Sequence, residues 1–350
     1  MSQTVLRARA PVRIDLAGGW TDVPPFSTEV GGAVVSGAIN RYTYVTMIPH
    51  EAETIAIESA DFDRYLEVKS FRDIEYDGNL DLIKAAIHRL GIQQGMHLYV
   101  RCDAPPGSGT GSSASISVAL IGLLNRLQND KLSVHEVARL ANYLEVEELH
   151  LAGGKQDQYA AAIGGLTFME FEDPAVNVSA LKLSPDTLCE LEKRLVLCYT
   201  GKSRISSNII EVVMGAYRQR VPTTVDALHR LKAIAREMKS ALLAGDLSSF
   251  GELLGENWEC QKRLDKSVTN GDIDALFEAA CANGAVSGKA TGAGGGGCVV
   301  FYAKPDQEHV LRRALEAHKA QVIDFNFDMT GLVTWVAPRG ETYVNNHAAR

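Results

Sequence analysis

The stretch DAPPGSGTGSSASISVALIGLLNRL, residues 103–127, sets Gly107, Gly109 and Gly111 with Ser112 and Ser113 directly before an apolar run. Glycines let a backbone approach a ligand closely and take positive φ, and the apolar residues from Ala114 to Leu127 recur at helical spacing, so the loop opens a helix. A helix start exposes unpaired N–H groups at the positive end of its macrodipole. With two hydroxyls beside them these donors make an anion site suited to phosphate. The same features also describe an ordinary serine-capped helix after a glycine turn. Two other phosphate motifs compete. In YTGKSR, Gly201, Lys202 and Ser203 resemble the end of a Walker A loop, but Val196 stands where its first glycine belongs, which rejects that loop. Gly109, Gly111 and Ala114 fit the looser dinucleotide pattern G-x-G-x-x-[GA] after a strand over Met96–Cys102. Pro105 and Pro106 separate that strand from the loop, however, and the acid at the expected distance, Asp130, falls in a turn after Asn129.

At 350 residues the chain can bury large cores and divides most naturally into two domains, and 46% hydrophobic with 22% charged residues place it among globular proteins. A net charge of −8 argues against general nucleic-acid binding and for small-molecule ligands held by local Arg, Lys, amides or metal. The N-terminal segment has no signal-peptide core and no run reaches the length of a membrane span, so a cytoplasmic location is expected. The six cysteines contain no C-x-x-C pair and the nine histidines no H-x-x-x-H pair, which points to reduced thiols and packing histidines rather than a zinc site.

Periodicity predicts strands over 5–10, 14–17, 33–48, 54–58 and 65–69, then a helix over 80–90. Ser133 and Glu136 form a capping box for a helix that ends at Gly153 and Gly154; a short helix KQDQYAAAI and a strand LTFMEFE follow. Residues 174–190 read as a boundary, and a strand over 195–200 opens a second, largely helical region. Its helices lie near 206–217, 224–243, 246–261 and 272–283, with a strand over 297–303, one more helix, and closing strands near 322–327 and 332–336. The class is α+β, cut into domains 1–185 and 186–350.

Three further segments carry chemistry. APVRIDLAGGWTDVPPF places Arg13 and Asp22 either side of a glycine pair, bringing a permanent cation and a carboxylate together for a phosphoryl oxygen and for hydroxyls, or for a structural salt bridge across a hairpin. EVEELHLAGGKQDQYAAAIGG puts Glu145 near a helix end and Asp157 in the first turn of the next helix, where a carboxylate is favoured and can take a proton from a hydroxyl; solvated helix-end acids look the same. GKATGAGGGGCVVFY, with Gly294 and Gly295 at its centre, implies close backbone contact with a ligand or another loop, or a mobile turn.

In this order the segments resemble the GHMP kinase family over nearly the whole chain. PPGSGTGSSAS is similar to that family's nucleotide loop, with Thr110 in place of the usual Leu. The resemblance implies an N-terminal half like ribosomal S5 domain 2, a ferredoxin-like C-terminal half and an active site between them. It implies that Pro106, Gly107, Ser108, Gly109, Thr110, Gly111, Ser112, Ser113 and Ala114 wrap the phosphates of ATP. Asp157 then matches the catalytic acid, Arg13 the cation that polarises acceptor or γ-phosphate, and Glu145 with Ser112 or Ser113 the Mg²⁺ ligands. Asp22, with Gly19 and Trp20, matches the sugar-binding motif of galactokinase-like members, whose Glu and His are absent here. AGGWTDVPPF, AINRYTYV, GGKQDQYAAAIGG, YTGKSRISS and NWECQKRL are most similar to the heptose 7-phosphate and fucose branch. That implies γ-phosphoryl transfer to the anomeric C1 hydroxyl of D-glycero-D-manno-heptose 7-phosphate, giving the 1,7-bisphosphate, with fucokinase- or galactokinase-like chemistry as the alternative. Lys202, Ser203 and Arg204, with Lys262 or Arg263, are candidates for the substrate's own phosphate. Gly294 and Gly295 are candidates for substrate contact. A dinucleotide-dependent dehydrogenase and a sugar- or nucleotide-binding regulator without catalysis remain as different classes, and pairing of the chain with itself as a homodimer is open.

Overall fold

The alternation near the N-terminus becomes one long antiparallel pair in the computed structural model, which describes residues 4–60, 64–202 and 206–337. β1 (Leu6–Ala17) runs unbroken against β2 (Gly32–Pro49), where the sequence suggested two short strands. Register shifts between Pro11 and Val12 and between Asp15 and Ala17 absorb the irregular pattern without ending the strand. The helix α1 (Phe26–Glu29) joins them. β3 (Ile55–Ser59), β4 (Arg64–Val68), α2 (Asp81–Arg89) and β5 (Met96–Cys102) follow. Then come α3 (Ser112–Asn125), α4 (Val134–Tyr143), α5 (Gln156–Ile163), β6 (Leu166–Glu172) and β7 (Ala175–Ala180).

These strands form a sheet ordered β4-β3-β5-β2-β1, with β6 and β7 continuing from β2. Among the described residues only β3 and β5 pair in parallel. A dinucleotide-binding domain requires a parallel sheet whose strand leads into the glycine loop, so the dehydrogenase reading falls here. α3 is apolar all round and is buried from Ala114 to Leu124, packed between the sheet and α2, α4 and α5.

The second half holds α6 (Pro185–Arg194), β8 (Leu195–Tyr199), α7 (Ser206–Arg218), α8 (Pro222–Ala244), α9 (Leu247–Lys262) and α10 (Gly271–Ala282). β9 (Ala285–Ala290), β10 (Cys298–Ala303), α11 (Glu308–Ala317), β11 (Gln321–Ile323) and β12 (Val333–Val336) complete it. Its sheet, ordered β11-β8-β10-β9, has the strand order of a ferredoxin-like unit whose first crossover is enlarged to four helices. Residues 174–190, read as a boundary, contain β7 and most of α6. The final strand departs from the expected division at residue 185: β12 hydrogen-bonds to β1 and so belongs to the first sheet. The halves share one apolar core, in which Val12, Ile14 and Val35 meet Leu197, Leu231 and Phe250. No helix among the described residues is long and apolar enough to cross a membrane.

Candidate active site

The glycine loop after β5 ends at Gly111, which caps α3 in the left-handed conformation with φ 72° and no side-chain cap. The opening amides of α3 therefore have no side chain to satisfy them, and Ser112 and Ser113 stand in the first turn. Not every residue of the loop faces outward. Ser108 and Thr110 are buried with their hydroxyls 2.7 Å apart, and Ala114 is buried as well.

A second loop holds the first from behind. Gly292 packs against Gly109 so closely that a Cβ would sit 2.9 Å from the Gly109 backbone, the Cys298 amide donates to Ser108 O at 2.6 Å, and Thr291 Oγ1 donates to Gly109 O at 3.2 Å. Close contact with another loop, one of the possibilities the glycine run left open, is present here. Gly294 and Gly295 lie off the cleft, against Val268, whose carbonyl accepts from the Gly295 amide at 2.7 Å.

Arg13 reaches from β1 into the centre of this construction. Its Nε and Nη2 donate to the two carboxylate oxygens of Asp157 at 2.8 Å each, and Nη1 donates to Gly109 O at 2.6 Å and Thr291 O at 2.9 Å. A guanidinium has five N–H donors, so one, on Nη2, remains. Asp157 projects from the first turn of α5 and is a quarter exposed, at 27%.

Beside this pair lies Asp22, buried and accepting from the Gln156 amide at 3.0 Å and from Gln156 Nε2 at 3.3 Å. Gly154 makes room for it, since a Cβ there would fall 2.0 Å from Asp22 Oδ2. Burial, reinforced by Asp157 and Asp15, pushes the Asp22 carboxyl up to about 6 despite the hydrogen bond from the Gln156 backbone. Glu145 sits where α4 passes into a π-helical turn, Leu144–Glu148, a local widening that recurs at functional sites. Its Oε2 accepts from Gln158 Nε2 at 2.7 Å, and the Ser113 side chain also bonds to it. Desolvation first, then the charge of Asp157, pushes this carboxyl up to about 7.

These groups share one cleft of about 740 Å³ whose walls include Arg13, Gly19, Trp20, Asp22, Pro106, Gly107, Gly109, Gly111, Ser112, Ser113, Glu145 and Asp157. Lys202 is not on that wall. It is exposed and pairs with Asp272 at the surface. Arg204 and Ser203 lie outside the described residues.

Sequence reasoning missed two parts of the cleft. One end is apolar, with Leu80, Leu82, Ile83, Val100 and Ile116. The adjoining turn at Gly78 and Asn79 is held by Asp81, which accepts from the amides of Asp77 and Gly78, and by the buried Lys84, which pairs with Asp77 and Asp81. The other part is Asp15, whose Oδ2 accepts from the fully buried Lys289 at 2.6 Å, and which sits at Gly19 beside Gln156. Asp15 was within the quoted R-I-D segment, but Lys289 lies 274 residues away and nothing local links them.

Family models agree with this layout. "GHMP kinases N terminal domain" matches residues 80–165 and "GHMP kinases C terminal" matches residues 238–321. The chain is 34% identical over 338 residues to the D-glycero-alpha-D-manno-heptose 7-phosphate kinase of Campylobacter jejuni, covering 94% of this chain and 98% of that one. It is 30% identical to the bifunctional fucokinase/GDP-fucose pyrophosphorylase of Arabidopsis thaliana over 89% of this chain and 31% of that protein. Among solved structures it is similar to a D-glycero-D-manno-heptose 1-phosphate kinase from Bacteroides thetaiotaomicron, with TM-score 0.80, 32% identity, and 94% and 98% of the two chains covered.

Proposed function

The chain belongs to the GHMP kinase family, and on that premise we propose that it transfers the γ-phosphoryl group of ATP to the anomeric C1 hydroxyl of a sugar, D-glycero-D-manno-heptose 7-phosphate, giving the 1,7-bisphosphate. The observation that carries this reading is the forked Arg13–Asp157 pair, fixed between the phosphate loop and the pocket containing Asp22.

Phosphoryl transfer needs positioning and charge neutralisation more than covalent help. The unfilled start of α3 and the glycine loop receive the triphosphate, and the apolar end of the cleft receives the base. Mg²⁺ fits the donors present, a hard cation that takes oxygen ligands: the Glu145 carboxylate and the hydroxyls of Ser112 and Ser113 would hold it. Bound there, it neutralises charge on the phosphates. Asp157, with its oxygens held by Arg13, orients the attacking hydroxyl and accepts its proton. Arg13 acts chiefly as a strut: three of its four bonds go to Asp157 and the loop carbonyl of Gly109, and the remaining N–H is available for a phosphoryl oxygen.

A binding protein without catalysis would need neither the fixed acid nor its strut. A cytoplasmic location, where Mg·ATP is supplied, goes with this reading. ADP release measured against heptose 7-phosphate, fucose, galactose, mannose and mevalonate tests it, with ³¹P NMR locating the new phosphate. Stimulated release with heptose 7-phosphate and an anomeric phosphate signal are expected; no ADP with any sugar refutes the proposal.

A further inference from the structure

The turn that closes the apolar end of the cleft is built around a lysine that solvent hardly reaches. Lys84, on α2, has a side chain 2% exposed, and its ammonium pairs with Asp77 and, at 3.2 Å, with Asp81. Lysine is almost never buried unless paired, because taking its charge out of water is expensive. The two acids stand at the start and the end of one turn, residues 77–81, so the ammonium ties its ends together.

The same carboxylates bind the backbone of the turn. Asp81 accepts from the amides of Asp77 at 3.1 Å and Gly78 at 2.8 Å, and Asp77 Oδ1 accepts from the Asn79 amide at 2.9 Å. Three successive amides are thus taken up by the two acids that Lys84 holds. The conformation fixed in this way is a strained one. Leu80 has φ 54° and ψ 29°, left-handed, at the start of α2 with no side-chain cap. A side chain with a Cβ is disfavoured there and persists only where its surroundings over-determine it. Gly78, Asn79, Leu80 and Asp81 line the cleft, Leu80 with the apolar Leu82 and Ile83, whereas Lys84 and Asp77 are not on its wall.

We infer that Lys84 is a positioning residue for the nucleotide: from behind the wall it holds the 77–81 turn, and with it Leu80, in the shape against which the base packs. The inference rests on the kinase reading above and assigns the part of the nucleotide that Lys84 serves. That part is the base, since the phosphates are received by the glycine loop and the start of α3. Asp77 and Lys84 act as one unit.

The test separates base from phosphates. Dissociation constants for Mg·ATP and inhibition constants for inorganic tripolyphosphate, which lacks a base, are measured for the wild type, Lys84→Met, Asp77→Ala and the double variant, together with KM for ATP and kcat. Loss of packing against one leucine side chain sets the expected rise in Kd for ATP at about 10- to 150-fold in Lys84→Met. KM for ATP rises with it, while kcat at saturating ATP and inhibition by tripolyphosphate change by about twofold at most. Asp77→Ala raises Kd for ATP by about three- to tenfold, the range for one hydrogen bond. The double variant is no weaker than Lys84→Met, as for residues that act through one contact. The Asp77 side chain is 58% exposed and its removal leaves Lys84 paired with Asp81, so Asp77→Ala decides the matter if Lys84→Met does not fold. ATP affinity within about twofold of wild type in the folded variant overturns the inference. So does a loss of tripolyphosphate affinity equal to the loss for ATP, which is what general loosening of the domain produces. Those outcomes leave the kinase reading standing. Wild-type protein that binds no Mg·ATP overturns both.

Discussion

Replacing Asp157 with Asn separates the acid's chemistry from its place in the framework. The change keeps the volume and one oxygen but puts an amide N–H₂ against a guanidinium nitrogen that now has a 2.8 Å bond to carboxylate. Loss of a group that orients and deprotonates the acceptor lowers kcat by roughly 10²–10⁴-fold. The structural cost is separate. Breaking a buried ion pair can cost about 3–5 kcal/mol. Here Asp157 is partly exposed and Arg13 keeps its bonds to Gly109 O and Thr291 O, which brings the expectation to about 1–3 kcal/mol, the range for an unsatisfied buried group. For a chain of this size that is a fall in Tm of several degrees, leaving the protein folded at assay temperature. Three measurements on one preparation are needed: ADP release with heptose 7-phosphate, Mg·ATP affinity by calorimetry, and thermal unfolding. The expected pattern is a large loss in kcat, nearly unchanged ATP affinity and a modest loss in Tm. Turnover within about fivefold of wild type refutes the proton-accepting role, whose smallest expected contribution is about 10²-fold. A loss of ATP affinity as large as the loss of kcat shows instead that Asp157 acts only through Arg13 on the phosphate loop.

Glu145 has a native pKa of about 7, above its ordinary value, so between roughly pH 4.5 and 7 the folded protein binds more protons than the unfolded chain and this group's contribution to stability falls as pH rises. Mg²⁺ displaces that proton, so apparent Mg²⁺ affinity should climb over the same window and level off above it; a flat titration, or Glu145→Gln with an unchanged Mg²⁺ dependence, refutes the metal assignment. Asp22, raised to about 6 mainly by burial, is destabilised in its charged form. Asp22→Asn should then increase stability at pH 8 by up to about 3 kcal/mol, read by denaturant unfolding, while sugar turnover falls. Lys202→Ala should leave KM for the sugar within about twofold, because an exposed pair such as Lys202–Asp272 contributes little. Arg204→Ala should raise KM for a phosphorylated sugar more than KM for ATP, and equal effects count against direct contact with the substrate.

Local signals carried the parts of the molecule that are locally determined. The strands Met96–Cys102 and Leu166–Glu172 occur at the bounds their sequence pattern suggests, and Ser133 with Glu136 makes the capping box that starts α4. α6 had a usable signal, Ser184 as N-cap with Pro185 at the first helical position, but it was submerged in a stretch of mixed polarity. β9, AVSGKA, lacks the β-branched alternation that marks a strand and is specified by its partner β10. β12 could not be assigned to the first sheet from its own residues, because pairing with β1 spans more than three hundred positions and depends on which edge is left open.

The same division runs through the candidate site. Arg13, Asp157 and the glycine loop were legible because each sits in a motif whose residue types have few alternative uses, and the structure brings all three together. What one sequence does not display is how a chemical group's remaining valences are distributed. Arg13 was expected either to neutralise a phosphoryl oxygen or to form a structural salt bridge, and the sequence does not show that four of its five donors are taken by Asp157, Gly109 O and Thr291 O. Lys202 had the right charge beside the right loop, but a surface acid takes it up. Asp15 looked like one strand residue among several, and only the folded chain shows its carboxylate paired with the buried Lys289, 274 residues away. Motif spacing identifies which residues can do the chemistry; the count of donors and acceptors still unspent after folding identifies where a substrate has to supply the rest.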